Sequence, residues 1–124
     1  MDLSPRRDLD RLADMRDALT DIKALTADGK QAFAADRSAQ QAVAYNLAVL
    51  GEAARALSPE LRERHPEVPW RDVIAQRNVV VHEYHRLDLD SLWITATQDV
   101  PQLDEQLAGI ERAEREPPGS AGKT

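Results

Sequence analysis

Leu89-Asp90-Ser91-Leu92-Trp93-Ile94-Thr95-Ala96-Thr97-Gln98-Asp99-Val100-Pro101-Gln102-Leu103-Asp104-Glu105-Gln106-Leu107-Ala108-Gly109-Ile110 is the stretch whose periodicity decides the fold. Within it Leu89, Trp93, Ala96, Val100, Leu103, Leu107 and Ile110 recur at unbroken steps of four and three, the spacing that lines one face of an α-helix. A strand would alternate at every second residue, and this stretch does not. Asp88 or Asp90 offers a start for the helix. Pro101 lies off the seam and predicts a kink near Thr97 without ending the helix, because proline removes one amide donor and crowds the carbonyl four residues back. A seam of this length can pack within a bundle or against a second copy of the chain.

The same rhythm appears upstream. Val43, Leu47, Leu50, Ala54 and Leu57 follow at four, three, four and three, with Ser38 and Gln41 as a possible capping box. Gly51 interrupts that helix at a cost of about 1 kcal/mol relative to alanine, so close approach of another element there is a reasonable explanation. Nearer the N-terminus, Ser4-Pro5 reads as an N-cap and first-turn proline. Leu9, Leu12, Leu19, Ile22 and Leu25 then build an apolar face until Gly29, with Arg11, Asp14, Asp17, Asp21 and Lys23 across from it. Lys30 to Asp36 reads as a connector with one turn around Phe33. Ser58-Pro59 opens a short helix that must stop near His65, since Pro66 follows. Val68-Pro69-Trp70 turns the chain into a further helix, with Trp70 as a packing anchor. No internal repeat and no strand-like alternation occurs. The fold expected is all-α: an up-and-down bundle of four to five helices, residues 1–115 as one domain, and 116–124 as a disordered tail with two prolines and no apolar period.

Composition agrees. At 124 residues, with 42% hydrophobic and 4% aromatic content, the chain can bury one aliphatic core. Zero cysteines remove disulfides, thiolate catalysis and cysteine-ligated zinc, and fit a reducing compartment. No apolar run approaches the roughly 18 residues that cross a membrane, and the first residues lack a signal-peptide core, so a cytoplasmic protein is expected. The net charge of −6 argues against a broad electrostatic grip on nucleic acid. A focused basic pocket on an acidic body stays open, because Arg71, Arg77, His82, His85 and Arg86 gather in one stretch.

That stretch is also where the site chemistry concentrates. Arg77-Asn78-Val79-Val80-Val81-His82-Glu83-Tyr84 sets an arginine, an amide, a histidine and a phenol around three valines. On a continuous helix at about 100° per residue these four polar groups span an arc of roughly 160°, enough to border a groove. Valines are poor helix formers alone, so burial against neighbours would have to hold them. Taken singly, each residue has an ordinary explanation: an ion-paired arginine, a structural histidine, a half-buried ring. His82 and His85 with Glu83 between them do not match the zinc-protease spacing His-Glu-x-x-His, so no metal and no cofactor is expected. The terminal Gly122-Lys123-Thr124 lacks the preceding glycine and strand of a phosphate-binding loop.

The Arg-x4-His-x-Tyr string resembles the signature of the HEPN superfamily, and specifically of HepT-like toxins that pair with a minimal nucleotidyltransferase antitoxin. Leu50-Gly51-Glu52-Ala53-Ala54, Pro66-Glu67-Val68-Pro69-Trp70-Arg71 and Leu87-Asp88-Leu89-Asp90-Ser91-Leu92-Trp93 resemble the family in order and spacing, so that the likeness runs from about Leu9 to Leu107. It implies a HEPN-like bundle and a toxin that cleaves RNA as a metal-independent endoribonuclease. Arg77 and His82 would be catalytic, Asn78 and Glu52 supporting, and Tyr84 the acceptor of AMP from the antitoxin. The partners implied are RNA, the nucleotidyltransferase and a second copy of the chain. In residue terms, His82 can move a proton because its reference pKa of about 6.5 leaves both forms accessible, and Arg77 can fork onto two phosphate oxygens. One copy offers one motif histidine for two proton transfers, hence the expected homodimer. The other reading is a non-catalytic subunit that binds a nucleotidyltransferase and presents a helix to it.

Overall fold

The computed structural model describes residues 3–76 and 88–116, and among them only helices and turns occur. The helices are α1 (Ser4–Leu25), α2 (Lys30–Ala34), α3 (Arg37–Ala56), α4 (Pro59–Arg64), α5 (Trp70–Ala75), α6 (Leu89–Ile94) and α7 (Val100–Arg115), with a π-helical turn at Thr95–Asp99 joining the last two. The all-α bundle expected from periodicity is what the chain forms. Three long elements make its frame: α1 packs against both α3 and α7, while α5 and α6 pack on α3.

The expected seams become the core. Leu12, Leu19 and Ile22 of α1, Val43, Leu47, Leu50 and Ala54 of α3, and Ala96, Val100, Leu103, Leu107 and Ile110 after them are all buried in one cluster. Burying an aliphatic side chain contributes about 1.5–3 kcal/mol, and the frame rests on this term. The Leu89–Ile110 seam therefore packs within its own bundle. Its first turn adds an aromatic contact, the ring of half-buried Trp93 lying 5.5 Å from buried Phe33 at a 40° tilt.

Helix ends agree with the sequence in some places and correct it in others. Asp88 caps α6, its carboxylate accepting the Asp90 and Ser91 N–H groups and the Ser91 hydroxyl. Ser58 caps α4 by accepting the Leu61 N–H, and α4 stops at Arg64 with His65 as its last cap. The turn around Phe33 is α2, reached through Gly29 at φ 96°, a left-handed angle that favours glycine. At α3 the cap is Asp36, not Ser38. Asp36 is extended and its carboxylate accepts the Ala39 N–H at 3.0 Å, so the ladder starts two residues early and Ser38 falls inside the first turn. Gln40, not Gln41, reaches back, donating to the Phe33 and Ala34 carbonyls. At α1 the N-cap is Leu3 and Ser4 is already helical, because the Arg7 N–H bonds the Leu3 carbonyl at 3.0 Å.

The helix runs on through Pro101 as expected, and what marks the place near Thr97 is a change of helical period. The helix widens into the Thr95–Asp99 π-turn just before Pro101, and the Val100 N–H reaches the Thr95 carbonyl five residues back. The missing proline donor thus falls where the ladder is changing period, and Thr97 satisfies the Trp93 carbonyl through its hydroxyl at 2.7 Å. Gly51 is buried in α3. The expected tail from Pro117 onward lies outside the described residues, and α7 ends at Arg115. No helix among the described residues is long and apolar enough to cross a membrane.

Candidate functional site

Arg77, Asn78, His82 and Tyr84 all fall in 77–87, outside the described residues, and so do His85 and Arg86. The structure instead shows how the two ends of that stretch are held. On one side, α5 leads to Gln76. It is anchored by Trp70, which is buried and whose indole N–H donates to the His65 carbonyl at 2.9 Å, and by buried Val73. On the other side, Asp88 closes the N-terminus of α6. Its carboxyl lies below the usual range because the Ser91 hydroxyl and N–H stabilise the charged form. The turn before α5 is itself tied to α7: His65 Nε2 lies 2.8 Å from Glu114, Arg64 pairs with the same carboxylate, and Gln106 donates to the Glu67 carbonyl at 3.2 Å. Hydrogen bonds from Arg64 hold the Glu114 carboxyl below its ordinary value against the opposing effect of burial, with His65 assisting.

Two concavities flank this frame. A cleft of about 400 Å³ opens between α3, α5, the π-turn and α7. Leu50, Val73 and Val100 are among its apolar walls, and Gln76, the last described residue before Arg77, is on its rim with Glu67, Asp72 and Asp99. The second is an open groove of about 790 Å³ between α1 and α3. Glu52 is exposed there, on α3, facing a line of α1 carboxylates. Glu52 and Leu50 are two residues apart on one helix and so face away from each other, which puts the proposed supporting carboxylate on the groove and not on the Gln76 cleft. Both rims are acidic. Arg71, counted from sequence in the basic cluster, is exposed on α5. Among the described residues no three His, Cys, Asp or Glu side chains converge as a metal ion would need.

Sequence reasoning passed over two polar knots. Asp8 is 4% exposed, and its carboxylate accepts the Ser58 N–H at 2.8 Å and the Ser58 hydroxyl at 2.6 Å, fixing the start of α1 to the cap of α4. Arg16 bridges Asp104 and Glu111 across α1 and α7, and Lys23 joins Asp104 at 2.6 Å. Burial alone would raise the Asp104 carboxyl, but its bonds to Lys23 and Arg16 outweigh it and bring the group below the usual range. Partners about 50 to 95 residues apart leave no periodic trace in a sequence.

Comparison with known proteins bears on the undescribed stretch as well. The family model described as "Ribonuclease HepT-like" matches residues 15–110, which include the whole Arg77 to Tyr84 string. The Thermococcus cleftensis protein named "Probable ribonuclease HepT" is 33% identical over 95 residues, covering 76% of this chain and 86% of its own. "Putative RNase MJ1380" of Methanocaldococcus jannaschii is 30% identical over 97 residues, 77% of this chain and 89% of its own. "Putative RNase TTE0752" of Caldanaerobacter subterraneus is 31% identical over 83 residues, 67% and 74%. No solved structure matches the chain. A matched span of this length, on an all-α frame whose helices bracket an Arg-x4-His-x-Tyr string, places the protein: it belongs to the ribonuclease HepT-like family of HEPN proteins.

Proposed function

We propose that the protein is a metal-independent endoribonuclease that acts in the cytoplasm as the toxin of a toxin-antitoxin pair. The observation that supports it most is the family match over residues 15–110, a span that contains the Arg77, His82 and Tyr84 string. The RNA's own 2′-hydroxyl attacks the adjacent phosphorus, the 5′-oxygen leaves, and a cyclic phosphate remains. His82 moves a proton in this step, and Arg77 stabilises the charge gathering on the phosphorus oxygens. Asn78 orients one of those oxygens, and Glu52 supports the cationic groups. Two copies bring two motif histidines, so that one can act as base and the other as acid.

The antitoxin is a nucleotidyltransferase that silences the site by AMP transfer to Tyr84. The phenol oxygen attacks the α-phosphorus of ATP, pyrophosphate leaves, and the phenol proton goes to solvent. The added phosphate and base occupy the groove and pair with the cation meant for RNA. Mass spectrometry of protein co-expressed with its neighbouring nucleotidyltransferase should find AMP on a peptide containing Tyr84, and Tyr84→Phe should escape both modification and neutralisation. An unmodified Tyr84 in a fully neutralised pair refutes this step.

One observation favours a second reading, in which the chain is a non-catalytic subunit that binds a nucleotidyltransferase. The net charge is −6 and both described concavities have acidic rims, which suit RNA poorly. Purified protein and its Arg77→Ala and His82→Ala variants, incubated with RNA and a chelator, separate the two. Cleavage by the wild type alone supports catalysis, and equal cleavage by all three overturns it.

A further inference from the structure

The cleft between α3, α5, the π-turn and α7 has an aliphatic floor and an anionic rim. Leu47, Leu50, Val73, Val100 and Leu103 line it and are all buried. Around them stand Glu67 from the turn before α5, Asp72 from the first turn of α5 and Asp99 from the π-turn, all exposed. None of the described lining residues is Lys, Arg or His. Glu67 lies 3.5 Å from His65 Nδ1, while Asp72 and Asp99 have no ion pair among the described residues. Acids elsewhere in the bundle are matched: Asp104 by Arg16 and Lys23, Glu111 by Arg16 and Arg115, and Glu114 by Arg64. A rim without countercharge beside a low-dielectric floor concentrates cations from solution.

The spacing of the acids decides which cation fits. Among the described residues no three His, Cys, Asp or Glu converge as a metal ion would need, so these carboxylates border the cleft without meeting at a point. A compact hydrated ion such as magnesium answers only part of such a rim and gains nothing from the floor. A methylene chain with ammonium groups along it answers both, since its stem lies on apolar surface while its charged ends reach separate carboxylates. Gln76, Gln102 and Gln106 also line the cleft, and Gln106, whose amide nitrogen is held by the Glu67 carbonyl, keeps its oxygen as an acceptor. The volume of about 400 Å³ lies within the range of small-ligand clefts, roughly 300–1,000 Å³. We propose that this cleft binds a linear aliphatic polyamine, its methylenes on the Leu50, Val73 and Val100 floor and its ammonium groups on Glu67, Asp72 and Asp99. Because Gln76 is on the same rim, the bound amine offsets negative charge next to the residue that precedes Arg77. Its consequence, a cleft that no longer repels RNA phosphates, rests on the ribonuclease reading; the site itself does not.

The test is calorimetric titration of the full chain with spermidine, an aliphatic triamine, at an ionic strength of about 0.15 M. Wild type should give a saturable isotherm with one amine per chain, and magnesium at matched ionic strength should not displace it. At equal charge a five-carbon diamine should bind more tightly than a three-carbon one, because only the longer stem covers the floor. Asp72→Asn with Asp99→Asn should weaken spermidine binding about tenfold with unchanged helicity. Asp17→Asn with Asp21→Asn removes the same charge from the α1–α3 groove and should leave binding as in wild type. If the first double variant does not fold, Asp99→Asn alone should weaken binding by about threefold. Absence of saturable binding overturns the proposal, and so does displacement by magnesium or an equal loss in both double variants. RNA cleavage with and without spermidine bears on the consequence alone: stimulation that the Asp72 and Asp99 double variant loses supports it, and binding without stimulation sinks it while the site stands.

Discussion

Asp8 and His82 differ in what their removal should cost. Asp8 is buried and accepts two bonds from Ser58, so Asp8→Ala leaves a cap without its partner and should cost about 1–3 kcal/mol in urea unfolding. Arg77→Ala and His82→Ala should instead abolish RNA cleavage and leave the unfolding midpoint nearly unchanged, because a site residue holds substrate rather than the fold. Loss of stability equal to that of Asp8→Ala would make the two residues structural. Chemistry at this scale was open to sequence reading for the Arg77 to Tyr84 string, since its residues are close neighbours in the chain. The Asp8 bond was closed to it, because nothing local marks a carboxylate whose donors lie 50 residues away.

Elements were legible in proportion to their periodicity. The seams of α3 and of Leu89–Ile110 read directly from steps of four and three, whereas the α3 cap shifted to Asp36 because a carboxylate two residues earlier found the Ala39 N–H. The knot joining α4 to the end of α7 could not be read, and it makes a pH-dependent contribution. Glu114 titrates below its ordinary value of 4.5, so its bonds to Arg64 and His65 stabilise the fold above that value. That contribution is lost as pH falls through the lower, folded-state value. Wild type should therefore lose melting temperature more steeply than Glu114→Gln as pH drops below 4.5. Arg64 is half exposed, so salt should narrow the difference. Parallel acid profiles would show that the pair contributes nothing.

Across the whole molecule the three long elements share one core, so a cavity in any of them is felt by all. Leu107 is fully buried, and Leu107→Ala should lower unfolding free energy by about 2–5 kcal/mol in one cooperative transition. A separate early transition would mean that α7 unfolds independently of the frame. The π-turn adds a historical consequence. It is one residue more than an α-helix needs, placed where proline stands next, so it has the form of an insertion whose presence makes Pro101 tolerable. Deleting Gln98 alone should force Pro101 into a regular α-turn at a cost of about 3 kcal/mol, while the same deletion with Pro101→Ala should recover much of it. Length and proline are then a single inherited trait: lineages that lose the extra residue should lose the proline with it.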